Sequence, residues 1–368
     1  MKIAAPFDKV KEVRPLIEAG ADELYCSVFQ PRWFSISGVP TPRPKSTCSL
    51  RSFKELKAAV RIAQELNTAV YITLNSYYHS RDALNLIRKD FKNALAAGVT
   101  GFIVSDIPLL KEIKKSAPDK PVVLSTMGNC FNTETAAFFK ELGAGRIVFP
   151  RDLSLSELEY LCAEQKRKGL ALQLESFVLN LRCRNVNGFC RCHGYPSISK
   201  SAGEPLLSRF FQASTGLLAG RAPGMFTNAC LYLLKRTRNI YRKPTPCLMD
   251  YKATYISRSD NTRETIPRFY LGEPYDNICA ACSIFYFREF GIEYLKIIGK
   301  GRPTESKIQD VKFIAALRGA LNGHQDFDEF LKKGQELYRQ AYGAPCRQAQ
   351  CHYPCFVKKR TEAEKNAE

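Results

Sequence analysis

The sequence predicts an α/β protein, a TIM-like (β/α)8 barrel with a long Cys-rich insertion between units 7 and 8. Three observations carry this reading. Short apolar segments alternate strictly with amphipathic ones from residue 2 to residue 178, giving seven strand-helix units in a row. The rhythm then breaks for over a hundred residues and resumes with one further unit, Glu293 to Leu321. Strict alternation implies parallel strands with right-handed crossovers, and a late eighth unit closes a barrel. A doubly wound open sheet is the alternative, but it has no use for that unit.

Taken in order, the strand segments are Lys2 to Ala5, Glu23 to Val28, Ala69 to Asn75, Gly101 to Asp106, Pro121 to Thr126, Arg146 to Pro150, Leu170 to Val178 and Glu293 to Ile298. Helices are predicted at Lys9 to Ala19, Ser52 to Leu66, Ser80 to Ala97, Ile107 to Ser116, Thr133 to Leu142, Ser154 to Lys168 and Lys307 to Leu321. Their ends are marked locally. Ser52 precedes FKEL, Ser154 with Glu157 forms a capping box, and Asp106 before Ile107-Pro108 is a cap. Ala19-Gly20, Ala97-Gly98 and Leu142-Gly143 end helices just before the next strand. The chain thus divides into barrel units at 1–178, a basic insertion at 179–290, the last unit at 291–325 and a Cys-containing extension with a charged tail at 326–368.

Composition bounds the function. The longest apolar runs, such as Ala69 to Leu74, are strand-sized, so no membrane span is expected. The N-terminus MKIAAPFDKVKEV is charged too early for a signal peptide, and a cytoplasmic location is expected. In a reducing compartment, 14 cysteines point to metal or redox use more than to disulfides. Cys26, Cys130 and Cys162 lie where a small apolar residue would serve. The formal net charge of +19 suggests a polyanionic partner such as RNA, or an anionic small molecule. The run Lys235 to Lys243, KRTRNIYRK, suits phosphate contacts and base stacking, or simply a solvated surface.

Two groups of cysteines stand out. Cys183 and Cys190 follow the seventh strand in a C-x4-G-x-C pattern, with Cys192, Cys230 and Cys247 further along the insertion. Cys279 and Cys282 form a C-x2-C that can join the C-terminal C-x4-C-x3-C of Cys346, Cys351 and Cys355 as a second site. Soft thiolates in fours suit zinc or an iron–sulfur cluster, and spacing alone does not choose between them. At the predicted strand ends, Asn75, Asp106, Asn129, Arg151, Glu175 and Lys296 approach the C-terminal face, where such barrels place their chemistry. Arg151 would suit a substrate carboxylate. No Ser-His-Asp order or H-E-x-x-H occurs, so a peptidase reading lacks a catalytic device.

Several segments together resemble the peptidase U32 family. They are the opening APFDKVKEVRPLIEAGADELYCSV, the stretch STMGNCFNTETAAFFKELGAGRIVFPRDLSLSEL at Ser125 to Leu158, the E-x-F of Glu175 and Phe177 before C-x4-G-x-C, and GIEYLKIIGKGR. The resemblance implies a TIM-like barrel bearing a 4Fe-4S cluster on Cys183, Cys190, Cys230 and Cys247. It further implies oxygen-independent hydroxylation of an RNA pyrimidine or a quinone-precursor ring, with a prephenate-like molecule as oxygen source in the RNA branch. The older label of collagenase-like peptidase belongs to the same family. This chain departs from the family pattern at Leu179-Asn180-Leu181, where H-G-A is usual, and at Ile298, where K-I-E-G-R has its acid. Losing that histidine and carboxylate weakens the transfer of a general acid–base role to this mouth. The leading reading is therefore a U32-type iron–sulfur hydroxylase, with a peptidase or a non-catalytic cluster-bearing RNA-binding protein as alternatives.

Overall fold

The computed structural model describes residues 1–30, 48–76, 81–181, 278–346 and 351–353, together with the backbone of a two-stranded ribbon at 251–256 and 263–269. Eight parallel strands close into a barrel: β1 (Lys2–Pro6), β2 (Glu23–Cys26), β3 (Ala69–Leu74), β4 (Gly101–Val104), β5 (Val122–Leu124), β6 (Arg146–Val148), β7 (Gln173–Leu179) and β10 (Tyr294–Ile297). The order around the barrel is sequential, and β10 closes it by pairing with both β7 and β1. The ribbon, β8 (Tyr251–Ile256) and β9 (Arg263–Phe269), is antiparallel and lies within the insertion. The eighth barrel strand thus follows the insertion, as the interrupted rhythm predicts.

Helices cover the outside: α1 (Val13–Glu18), α2 (Phe53–Glu65), α3 (Arg81–Ala96), α4 (Ile107–Ser116), α5 (Thr133–Glu141), α6 (Leu155–Arg167), α7 (Ile284–Phe290), α8 (Thr304–Ala320) and α9 (Phe327–Tyr342). Helix α2 shows why they pack as they do. Leu56, Ala59, Val60 and Ala63 recur at helical spacing and are buried, and Ser52 caps the start by accepting from the Glu55 amide. Burying Leu56 and Val60 contributes about 1.5–3 kcal/mol each. The capping box of Ser154 and Glu157 and the cap of Asp106 on Leu109 form as expected.

Three local departures have identifiable causes. The first helix is shorter than its pattern: a 3-10 turn occupies Val10–Glu12, where Glu12 turns inward to Lys307, before α1 begins. Helix α7, inside the segment assigned to the insertion, is buried against α6 and serves as the crossover into β10. The extension contains a full helix, α9. Asp326 caps its amides at Asp328 and Glu329, and Gly343, with φ of 69°, ends it in the left-handed conformation.

A buried ion cluster fastens the first unit to helix α8 of the last barrel unit. Lys307 on α8 places Nζ 2.8 Å from Asp8 and 2.6 Å from Glu12, and the Gly301 amide donates to Asp8 at 2.6 Å. Burial pushes the Glu12 carboxyl up, but the Asp8 amide and Lys307 outweigh it and hold the group below the usual carboxylate range. Two apolar layers result. One lies between strands and helices, and a smaller one, with Tyr25, Tyr71, Ile103, Val123, Val148 and Phe177, fills the barrel itself.

Candidate functional site

The barrel interior is polar at its lower end. Arg146 opens β6 and points inward, donating to both oxygens of Glu23 at 2.6 and 3.0 Å and to Glu175 at 3.1 Å. Its guanidinium lies 3.4 Å from the centroid of the Tyr294 ring. Lys296 on β10 reaches Glu175 at 2.5 Å and lies 4.3 Å from the centre of the Tyr25 ring. Two acids and two bases therefore neutralise one another inside a closed barrel. Small residues leave the space for them. Ala4 pairs in register with both Lys296 and Glu23, and Gly101 faces Tyr71 so closely that a Cβ would fall 2.6 Å from its ring.

The two carboxylates are not equivalent. Burial raises Glu23 above its ordinary range in spite of Arg146. Burial also opposes ionisation of Glu175, but Lys296 and Arg146 together hold that group below the ordinary range. Glu175 thus lies inside the barrel, one side-chain layer below Phe177 on β7, while Lys296 pairs in register with Phe177. Glu23 and Arg146 were not among the expected site residues. The available signal was a charged side chain at an inward position of an otherwise apolar strand.

The mouth itself is lined by uncharged donors and acceptors with two cations. Asn75 donates to the Ser125 hydroxyl at 3.0 Å. Lys300 donates to Ser27 and Thr73 at 3.4 and 3.2 Å. Asn129 adopts a left-handed backbone with φ of 55°, and its shielded side-chain oxygen accepts no hydrogen bond from the described residues. Arg151 places its guanidinium 5.4 Å from the centroid of the Phe177 ring, and its carbonyl accepts from His352. Asp106 is occupied as the cap of α4.

Strand β7 delivers the chain to this mouth. Asn180 follows it with φ of 62°, donating to the Ile298 carbonyl at 2.8 Å and to Asp310 at 2.9 Å. Here asparagine occupies the position where the U32 pattern has the glycine of H-G-A, and both residue types accept a left-handed backbone. Cys183, Cys190, Cys192, Cys230 and Cys247 lie outside the described residues, as do Cys355 and the Lys235 to Lys243 run.

Four thiols of the other group do come together. Cys279 pairs through the backbone with both Leu179 and Cys351. Cys282 interacts electrostatically with Cys279 and Cys346, and Cys346 shares a hydrogen bond with Cys351. Burial pushes the Cys279 thiol up to about 12, whereas the bond from Cys351 brings Cys346 down to about 7. Among the described residues, no three His, Cys, Asp or Glu side chains are spaced to hold a single metal ion. Cys26, Cys130 and Cys162 are buried in the apolar core.

Comparison with known proteins decides the family. The profile of peptidase family U32 matches residues 8–204, more than half of the chain. The chain belongs to peptidase family U32. Among its U32 relatives, tRNA hydroxylation protein P of Helicobacter pylori (strain J99) is 30% identical over 52% of this chain and 42% of that protein. The tRNA hydroxylation protein P of Escherichia coli (strain K12) is 26% identical over 53% of this chain and 39% of its own length. The chain thus spans about two fifths of the length of these curated relatives. A solved structure of a U32 peptidase superposes with a TM-score of 0.43 at 13% identity, covering 82% of this chain and 94% of that one, a likeness too loose to carry an argument. No described helix is long and apolar enough to cross a membrane.

Proposed function

We propose that this U32 chain is an iron–sulfur protein that hydroxylates a base of tRNA without molecular oxygen. The observation that carries the reading is its similarity, over half its length, to proteins named for tRNA hydroxylation. The family match runs through Cys183 and Cys190, which follow the exit of β7 at the barrel mouth. With Cys230 and Cys247 they make an all-thiolate donor set, which suits the soft iron of a 4Fe-4S cluster better than it suits magnesium or calcium. When bound, the cluster would supply an electron-transfer or Lewis-acid centre. A net charge of +19 favours a polyanion as the partner.

The chain's own residues then divide by position. Asn75, Asn129 and Arg151 are the groups assigned to the substrate, because they lie at the mouth and offer directional hydrogen bonds. Arg151 is the partner for the carboxylate of a prephenate-like anion. Glu175 and Lys296 are positioning residues: Glu175 is fully buried and both of its oxygens are already bonded to cations.

Anaerobic purification tests the cofactor directly. The full chain is expected to be brown, with iron and sulfide at about four of each per cluster, and Cys183→Ala is expected to remove the share held by this site. Zinc in place of iron would overturn the redox reading. Peptide cleavage that survives removal of all metal would favour a hydrolase instead.

A further inference from the structure

We propose that Cys279, Cys282, Cys346 and Cys351 form a second, all-thiolate metal centre, separate from the Cys183 set, that fastens the C-terminal limb across the mouth of the barrel. Its ligand is a thiophilic metal, either a zinc ion or an iron–sulfur cluster.

The argument begins with the backbone. Two segments more than sixty residues apart in sequence supply the four thiols, and backbone contacts hold them together. The Ala280 amide donates to Val178 at 2.9 Å, and Leu181 donates to Ile278 at 3.3 Å, so the C-x2-C turn is strapped to the end of β7. The His352 amide donates to the Cys279 carbonyl at 2.8 Å, and Cys351 forms a parallel bridge with Cys279. Tyr353 hydrogen-bonds Ser176 and meets Phe287 edge-on at 6.4 Å. Cys346 follows the end of α9, three residues after the Gly343 stop.

The thiol environment is that of ligands rather than of packing. The Ala281 amide donates to Cys279 Sγ at 3.4 Å, the kind of backbone hydrogen bond that supports negative charge on a bound sulfur. Helix α9 makes room for Cys282 with a glycine: a Cβ at Gly334 would fall 3.2 Å from the Cys282 sulfur. The four sulfurs are mutual neighbours but are not drawn together around one point. Side-chain rotation on the partly exposed Cys346 and Cys351 is the movement that would gather them around zinc, while a cluster would leave them further apart. C-x2-C paired with a second thiol pair is a donor set of the right number and softness for either.

The test uses the full chain, purified anaerobically, with zinc, iron and sulfide counted per chain. Cys279→Ala/Cys282→Ala and Cys346→Ala/Cys351→Ala are each expected to lose one centre's complement of metal while keeping the metal that depends on Cys183. Conversely, Cys183→Ala/Cys190→Ala is expected to keep the second centre, so failure of the iron–sulfur reading above would leave this one standing. Zinc without sulfide, or iron with sulfide, names the metal. Cobalt(II) added to metal-free protein is expected to give thiolate charge-transfer absorption that either double variant abolishes. If the buried pair fails to fold without its thiols, the partly exposed Cys346 and Cys351 pair decides the matter. Unchanged metal content in that variant, or a Cys346–Cys351 disulfide in the wild-type protein, would overturn the proposal.

Discussion

Lys296 Nζ lies 2.5 Å from Glu175 Oε1, joining the last strand of the barrel to the seventh across an insertion of about a hundred residues. The contact is buried, and Arg146 shares the same carboxylate from the other side. The pair therefore sets how β7 meets β10.

Glu175→Gln is expected to cost about 3–5 kcal/mol, because it leaves Lys296 charged and unpaired in a closed interior. Adding Lys296→Met should recover part of that loss. Urea unfolding of the single and double variants checks this, and a single-variant loss under about 1 kcal/mol would contradict the buried pairing.

Gly101→Ala tests the crowding of the interior. Its new methyl would sit 2.5 Å from the Pro121 carbonyl and 2.6 Å from the Tyr71 ring. Since the first of these is backbone, trimming Tyr71 should not rescue the variant. A destabilisation of about 1–3 kcal/mol is expected in thermal or urea unfolding.

Acid should loosen the barrel through Glu12 and Glu175, whose folded-state values lie below the ordinary one. Such groups add stability above their unfolded-state pKa, about 4.3, and that stability disappears as the pH falls through the folded values. Glu23, raised by burial, works in the opposite sense: its contribution is present in acid and is lost as the pH rises through its folded value. Unfolding free energies should therefore fall steeply below about pH 4. In Glu12→Gln the slope there should be shallower, with lower stability near neutrality.

Asn180→Ala is expected to be worse than Asn180→Gly. Both lose the bonds to Asp310 and Ile298, but alanine also pays about 1–2 kcal/mol for the left-handed backbone. The order of stabilities, read by thermal unfolding, checks the backbone assignment. Equal losses would show that the backbone contributes nothing.

These residues also show where sequence reading works and where it stops. Strand order, the capping box at Ser154 and the late eighth unit are legible because periodicity and caps are local. The exit of β7 before Cys183 is legible for the same reason. Arg146 and Glu23 are 123 residues apart, and only the closed barrel brings them together. Cys279 and Cys351 are likewise joined by folding, although their spacing marked them as ligand-like. Glu175 was expected at the mouth because it lies near a strand end, yet it sits one side-chain layer below Phe177. At Asn180, the departure from H-G-A removes a histidine but keeps a residue fit for the left-handed turn.

Mass spectrometry of tRNA nucleosides from a deletion strain tests the central claim most directly. The account predicts loss of one hydroxylated nucleoside, restored by the wild-type chain but not by Cys183→Ala/Cys190→Ala. An unchanged nucleoside profile on deletion would contradict it.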